Sequence, residues 1–447
     1  MELNQEEGRE MFRTAGAGSG AAQVRRMRWV LAALAVGSLV ATACSSSNDS
    51  STTGPIKGQR ITVLIPYKVP QSILDRFTAQ TGVKLSFQVT AFDALHQKLV
   101  VAASAQTNIA DVTEMDWSWV GQFGGSGWYT PLEKSLPAPV VADLGKTNKI
   151  FTARSHLYAA CYSNDIRFPI YNGDQFTKAG ISSFPTTFTG LAQTLDTLKA
   201  KHVAQYPMTV ALGATEGGVT PWYLLTLSMG GQLFDKDNKP VFGAPGSVAH
   251  QALQFEIKAL KQGWLNPGAI TLDDAAAADR FTGGAASISL ASGPGSLVTA
   301  NDKTQSHIAP NAKAALMPGV NAAGPTLGLP EGLGIPSTSK HQAAALAFIK
   351  WWESTPTQRL LYKQAGFLPC SGAALSSLSA SGELQGGAVV AEAVKHLTPL
   401  FPNGAPPWYP AFSAKAQGLI NSAVKGDISV DAALAQLEDA TKKIASR

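Results

Sequence analysis

The stretch Arg60-Ile61-Thr62-Val63-Leu64-Ile65-Pro66 opens the folded part of the chain, and together with the next fifty residues it decides the architecture. Its β-branched and aliphatic side chains predict a strand, and Pro66, with no N–H to give to a ladder, ends it. Ile73, Leu74 and Phe77 then recur at helical spacing, with Gly82 where a C-cap belongs. Val83 to Thr90 alternates as a second strand, with Val83, Leu85, Phe87 and Val89 on one face. Leu95, Leu99 and Ala102 mark a second helix, and Ala110 to Met115 a third strand that runs into Asp116-Trp117-Ser118-Trp119. Strand, helix, strand, helix, strand is the signature of a parallel α/β sheet.

The same grammar returns downstream. Leu191, Leu195 and Leu198 form a helix stripe within Thr187 to His202, and Val248, Phe255 and Leu260 another within Gly246 to Gln262. Ala285 to Leu290 reads as a buried strand. Gln342 to Trp352 and Ser429 to Ile444 are amphipathic helices, the last with Ser429 as its N-cap. There is no internal repeat, and the Gly/Pro-rich stretch Gly293 to Pro336 reads as loops between short strands.

Upstream, Arg25-Arg26-Met27-Arg28, the apolar run Trp29 to Val40 and the small residues Ala41-Thr42-Ala43 have the three parts of a secretory signal peptide. The run is shorter than the roughly 20 apolar residues of a membrane span. Cys44 comes at once after it, and Ala41 to Cys44 resembles the lipobox of bacterial lipoproteins, which implies a diacylglyceryl thiol. The other reading is an ordinary cleaved signal with an incidental cysteine. Ser45 to Gly54 is polar and reads as a flexible tether within a 44–58 linker. Glu2, Glu6, Glu7 and Glu10 are acidic where a signal head is basic, so residues 1–24 fit no part of this scheme, and translation is expected to start at Met11 or Met27.

About 400 residues remain after Cys44, a natural size for two domains of about 150 to 200 residues each. Apolar content of 45% with 15% charged residues describes a globular chain. The net charge of +5 falls to +4 once residues 1–43, with five Arg and four Glu, are removed. It is spread along the chain with no basic stripe, which argues against a nucleic-acid partner. Cys161 and Cys370 either pair outside the cytoplasm or are two separately buried thiols. No Gly-x-Ser-x-Gly, His-Glu-x-x-His or P-loop motif is present, and the seven histidines suggest no local metal pair.

Several segments together resemble the extracellular solute-binding proteins of ABC importers, in particular the maltose-binding-protein-like sugar-binding group. They are Asp111-Val112 through Gly127-Trp128; His156 to Ala159 with Asp165 and Ile170 to Gly180; Gly230 to Asp235; Ala285 to Pro294; and Gly366 to Pro369. They occur in the family's order between Gln59 and Lys443. The resemblance implies two α/β lobes joined by a hinge, a type II binding-protein fold, with crossovers near Asp165 and Leu290. Residues 59–165 and 291–345 are then expected in lobe 1, and 166–290 and 346–447 in lobe 2. It also implies a carbohydrate captured in the cleft and handed to membrane permease subunits by a monomeric, lipid-anchored protein with no catalytic residues, metal or cofactor.

Sugar recognition calls for flat aromatic faces and for carboxylates, amides or Arg that meet hydroxyls. Asp116, Trp117 and Trp119 come after the third strand, where a doubly wound sheet opens its crevice. Each has a plain alternative in capping or packing the next turn. Asp165 matches the family's acidic position at the first crossover, and Arg167 is either a second ligand contact or a solvated partner for it. Trp222, in a Gly-rich loop expected over Glu216 to Trp222 that can approach a ligand closely, is the expected stacking platform of its lobe, or else packs under Leu225. Trp408 and Tyr409, stiffened by prolines on both sides, match a late family aromatic; Glu331, between Pro330 and Gly332, reaches a hydroxyl or caps. Tyr67-Lys68 is a weaker candidate near the entrance. Gly295 stands where several sugar-binding members carry a tryptophan, which argues against a long oligosaccharide. An exported α/β hydrolase, or a surface interaction protein that has lost its ligand, are the competing readings.

Overall fold

A computed structural model describes residues 54–446 apart from 146 and 402, so the expected signal peptide, Cys44 and most of the expected tether lie outside the described residues. The first sheet has the strand order Lys84–Val89, Arg60–Ile65, Val112–Asp116, Glu331–Gly334, Ala159–Ser163. The first three run parallel, as their connecting helices require, and Glu331–Gly334 pairs antiparallel with both neighbours. Gly82 ends the helix Gln71–Thr81 with φ at 72°, the left-handed turn that a side chain resists.

The second sheet is built on Ile166–Asn172. That strand pairs antiparallel with Ile288–Ser292, Ala312–Ala314 and Thr326–Gly328; Met208–Thr209 and Leu397–Pro399 extend the edges in parallel. Each sheet has its own apolar core. The first is centred on Ile61, Phe77, Phe123, Phe348 and Trp352, and the second on Leu195, Trp222, Leu253, Ile288 and Phe412, all essentially without exposure.

The chain passes between the lobes at Asn164-Asp165, at Leu329-Pro330 and around Leu368 to Ser371. These segments are bonded to one another: Leu329 N–H donates to Asp165 O at 2.7 Å and Asn164 N–H to Leu368 O at 2.9 Å. A disulfide between Cys161 and Cys370 reinforces them, with Cα atoms 5.9 Å apart. Of the two readings open for these cysteines, the bonded one holds.

The lobe boundaries differ from those expected. Strand Ile288–Ser292 does not leave the second lobe but runs on into the helix Pro294–Ala300 and the strands to Gly328, so residues 291–328 belong to lobe 2. The second crossing is therefore near 330 rather than 290. Conversely, the helices Gln342–Trp352 and Thr355–Ala365 bury Ala344, Phe348, Trp352 and Leu361 in the first core, so lobe 1 retains the chain to about Phe367. The apolar faces of those helices are complementary to the first sheet, a tertiary relation that no local pattern carries.

Candidate functional site

Strand Val112–Asp116 ends on a turn that its last residue organises. The Asp116 carboxylate accepts the Ser118 backbone N–H at 2.8 Å and the Ser118 hydroxyl, and the residue is only 4% exposed. Burial pushes its acid form up to about 7 against the pull of the Ser118 bonds, and the charges of Glu216 and Asp165 add to the rise. Directly opposite in the antiparallel ladder stands Glu331, also buried, which accepts the Tyr67 hydroxyl. Burial first, then the Asp165 charge, raises Glu331 well above the usual carboxylate range. Glu114, two residues before Asp116 and fully buried, accepts the Tyr162 hydroxyl at 2.7 Å.

The crossing contributes an ion pair. Arg167 Nη2 donates to Asp165 at 2.7 Å, and its Nη1 stands 4.0 Å from Asp274 of the second lobe. Gly293 makes room for Asp165, since a Cβ there would come within 2.7 Å of its carboxylate oxygen. Asp274 lies in the first turn of the helix Asp274–Thr282, and Glu216 in the first turn of Glu216–Ser228, where the helix dipole favours negative charge. Glu216 accepts the hydroxyls of Tyr409 and Ser413 and, at 3.4 Å, the Gln417 amide.

Trp117 joins the two walls. It leaves the first lobe and packs in the second core, its ring 4.8 Å from that of Tyr409. The structure thus brings Asp116, Trp117, Asp165, Arg167, Glu331 and Tyr409 to one interlobe seam, along with Glu216, Tyr67 and Asp274.

Three expected ring platforms are elsewhere. Trp119 is buried in the first core against Phe92, His96 and Phe123. Trp222 lies not in a loop but in the helix Glu216–Ser228, has no exposure and gives its indole N–H to Ala249 O at 2.8 Å, packed against Phe242. Trp408 is half-buried against Phe234 and Phe401, and its neighbour Tyr409 takes the seam position. Glu216 and Asp274 were legible as first-turn acids behind Thr215 and Asp273, which cap their helices. Glu114 carries no such signal, sitting between Thr113 and Met115 in a strand of wholly buried residues.

Two α/β lobes, three bonded crossings and a polar seam between the walls define a binding protein whose ligand site lies between its lobes. The chain belongs to the family of bacterial extracellular solute-binding proteins, whose sequence profile matches residues 64–359. A mannitol-binding protein of Pseudomonas aeruginosa is 26% identical over 382 residues, which cover 81% of this chain and 86% of the relative. An ABC transporter solute-binding protein of Thermotoga lettingae, solved with α-D-tagatose, shares the fold with a TM-score of 0.77. It is 22% identical, and the match covers 86% of this chain and 99% of that one. One from Agrobacterium vitis with bound D-mannitol has a TM-score of 0.72 at 21% identity, over 87% and 98% of the two chains. Among the described residues, no helix is long and apolar enough to cross a membrane.

Proposed function

We propose that this protein captures a small sugar or polyol between its lobes and delivers it to the permease of an ABC importer. The observation that carries this reading is the seam itself, where carboxylates of both lobes, Arg167, Tyr67 and the Trp117–Tyr409 pair converge. Carboxylates accept hydroxyl protons and Arg donates to hydroxyl oxygens, which together suit a polyhydroxylated ligand. The mannitol and tagatose of the relatives named above are compact solutes of the kind proposed. The absence of an oligosaccharide platform at Gly295, with Trp119 and Trp222 both in cores, supports a compact solute.

Contacts made with both lobes at once draw them together, so the closed form is the one that ligand stabilises. The basic, apolar and small-residue segments before Cys44 support export and lipid anchoring of a monomer at the outer face of the cell membrane. Thermal denaturation of residues 54–447 with hexitols, pentitols and monosaccharides tests the ligand. A ligand at a hundred times its Kd adds about 2.7 kcal/mol of stability. A folded protein that no such compound stabilises would end the proposal. Release of the full chain from the membrane fraction by Cys44→Ser tests the anchor.

A further inference from the structure

We propose that the first-lobe wall of the seam, Asp116 and Glu331 with Glu114 behind them, is a subsite for the ammonium group of an amino polyol or amino sugar. The inference rests on the cleft being a small-carbohydrate site and adds a positive charge to the ligand.

The carboxylates of the seam fall into two groups. Asp165 is matched by Arg167 at 2.7 Å, and Glu216 and Asp274 sit in the first turns of helices. Those acids have local positive charge to face. The three on the first lobe have no such partner at contact distance, and only Arg167 reaches one of them, Glu331, at longer range. Their side-chain partners are neutral hydroxyls: Ser118 on Asp116, Tyr67 on Glu331 and Tyr162 on Glu114. Among the described residues, no Lys or Arg forms an ion pair with any of them, and Lys68, beside Tyr67, is exposed. Glu114, with no exposure, also keeps its Oε1 without a hydrogen-bond donor.

Asp116 and Glu331 are cross-strand partners, a relation in which like charges repel. A neutral hydroxyl brings a hydrogen bond to such a wall but no charge. An ammonium brings both, with three N–H groups to distribute. A metal ion does not fit as well, since no group of three or more His, Cys, Asp or Glu among the described residues is placed to hold one. The groups that face Asp116 are Ser118 from its own turn, Glu331 from the adjacent strand, Asp165 from the crossing and Glu216 from the second lobe; Arg167 acts on Glu331 from farther off. With Asp116 poised at about 7, an arriving ammonium displaces the proton that this carboxylate holds at neutral pH, and the proton leaves to the buffer.

The test is titration calorimetry on the wild-type protein with matched pairs: D-mannitol and 1-amino-1-deoxy-D-mannitol, sorbitol and glucamine, glucose and glucosamine. Each is run at pH 7 in two buffers of different ionisation enthalpy. The amine of at least one pair is expected to bind about tenfold or more tighter than its neutral partner, a modest value for a desolvated charge pair. Proton release is expected on that binding alone, and Glu331→Gln should shrink the preference. Binding of a neutral member as tightly as its amine, or tighter, overturns the inference and leaves the carbohydrate reading standing. Binding of no member by a folded protein overturns both. The wild-type comparison decides the matter even where a variant does not fold.

Discussion

The ring of Trp117, carried by the first lobe, meets that of Tyr409 in the second at 4.8 Å and 57°, and the Tyr409 hydroxyl is in turn bonded to Glu216. One contact thus ties the end of the third strand of one lobe to two helices of the other. Both rings are buried, so the contact lies inside the seam.

Tyr409→Phe keeps that ring and removes one donor from Glu216. Taking one donor from this half-buried carboxylate, which keeps the Ser413 hydroxyl and the Gln417 amide, costs about 1 kcal/mol. The variant should unfold in urea at a correspondingly lower midpoint and bind ligand more weakly, because the Trp117 contact loses its support. Wild-type values for both quantities would show that the bond organises nothing.

Trp222 and Trp408 should separate stability from binding. Trp222→Ala empties a fully buried site and removes the indole donor from the Ala249 carbonyl, with an expected loss of about 3 to 5 kcal/mol. Its folded fraction should bind ligand as the wild type does. Trp408→Ala, at a half-buried position, should cost less in denaturant. Isothermal titration of both variants below their melting ranges checks the assignment; a Kd altered by Trp222→Ala alone would contradict the placement of that ring in the core.

The bridge from Cys161 to Cys370 closes a loop with a sequence separation of 209. On the chain-entropy account this is worth about 5 kcal/mol. Cys161→Ser with Cys370→Ser should therefore lower the Tm markedly, and dithiothreitol should lower that of the wild type but leave the double variant unmoved. A wild-type Tm indifferent to reductant would mean that the thiols are not bonded in solution.

Asp116 sets a pH dependence with a definite sign. Its folded-state value of about 7 lies above that of an unfolded aspartate, so the stability it contributes is complete below about pH 4 and is lost as pH rises through 7. The span corresponds to roughly 4 kcal/mol at the upper end. Asp116→Asn should flatten the fall in urea midpoint between pH 5 and 8; a slope as steep as that of the wild type would assign the titration to Glu331 or Glu114, which shift in the same direction.

Periodicity made the alternation of strand and helix legible, down to Gly82 as a left-handed cap and Ser429 as an N-cap that accepts from Ala432. It failed where a face is chosen by what lies across from it. The helix Val248–Lys261 was expected to carry Val248, Phe255 and Leu260 as its apolar stripe; Phe255 and Leu260 do pack on the core from partly buried positions, but the fully buried face is Ala249, Ala252, Leu253, Glu256 and Ala259. Glu256 has neither carboxylate oxygen bonded, and burial pushes it upward, an acid that no polar/apolar pattern would place inside. In the seam, Asp116, Asp165 and Glu331 were legible because acids at strand ends and crossovers have few structural uses, whereas Glu216, Asp274 and Glu114 were not singled out. The rings were not legible, since Trp119 and Trp222 are large enough to serve as core as readily as platform. The boundaries of the lobes were misplaced for the same reason: a crossing is defined by its hydrogen-bond partners, and these are far away in sequence.

The strand Glu331–Gly334 lies in the interior of the first sheet, between Val112–Asp116 and Ala159–Ser163. A polypeptide delivered from its N-terminus through a narrow passage therefore presents all but one of the first lobe's main strands with a slot in their midst. The slot is filled only when Gly334 has emerged, after most of the second lobe. Neither lobe ripens ahead of the other, and the seam, its walls and its clasp are finished in a single closing stage.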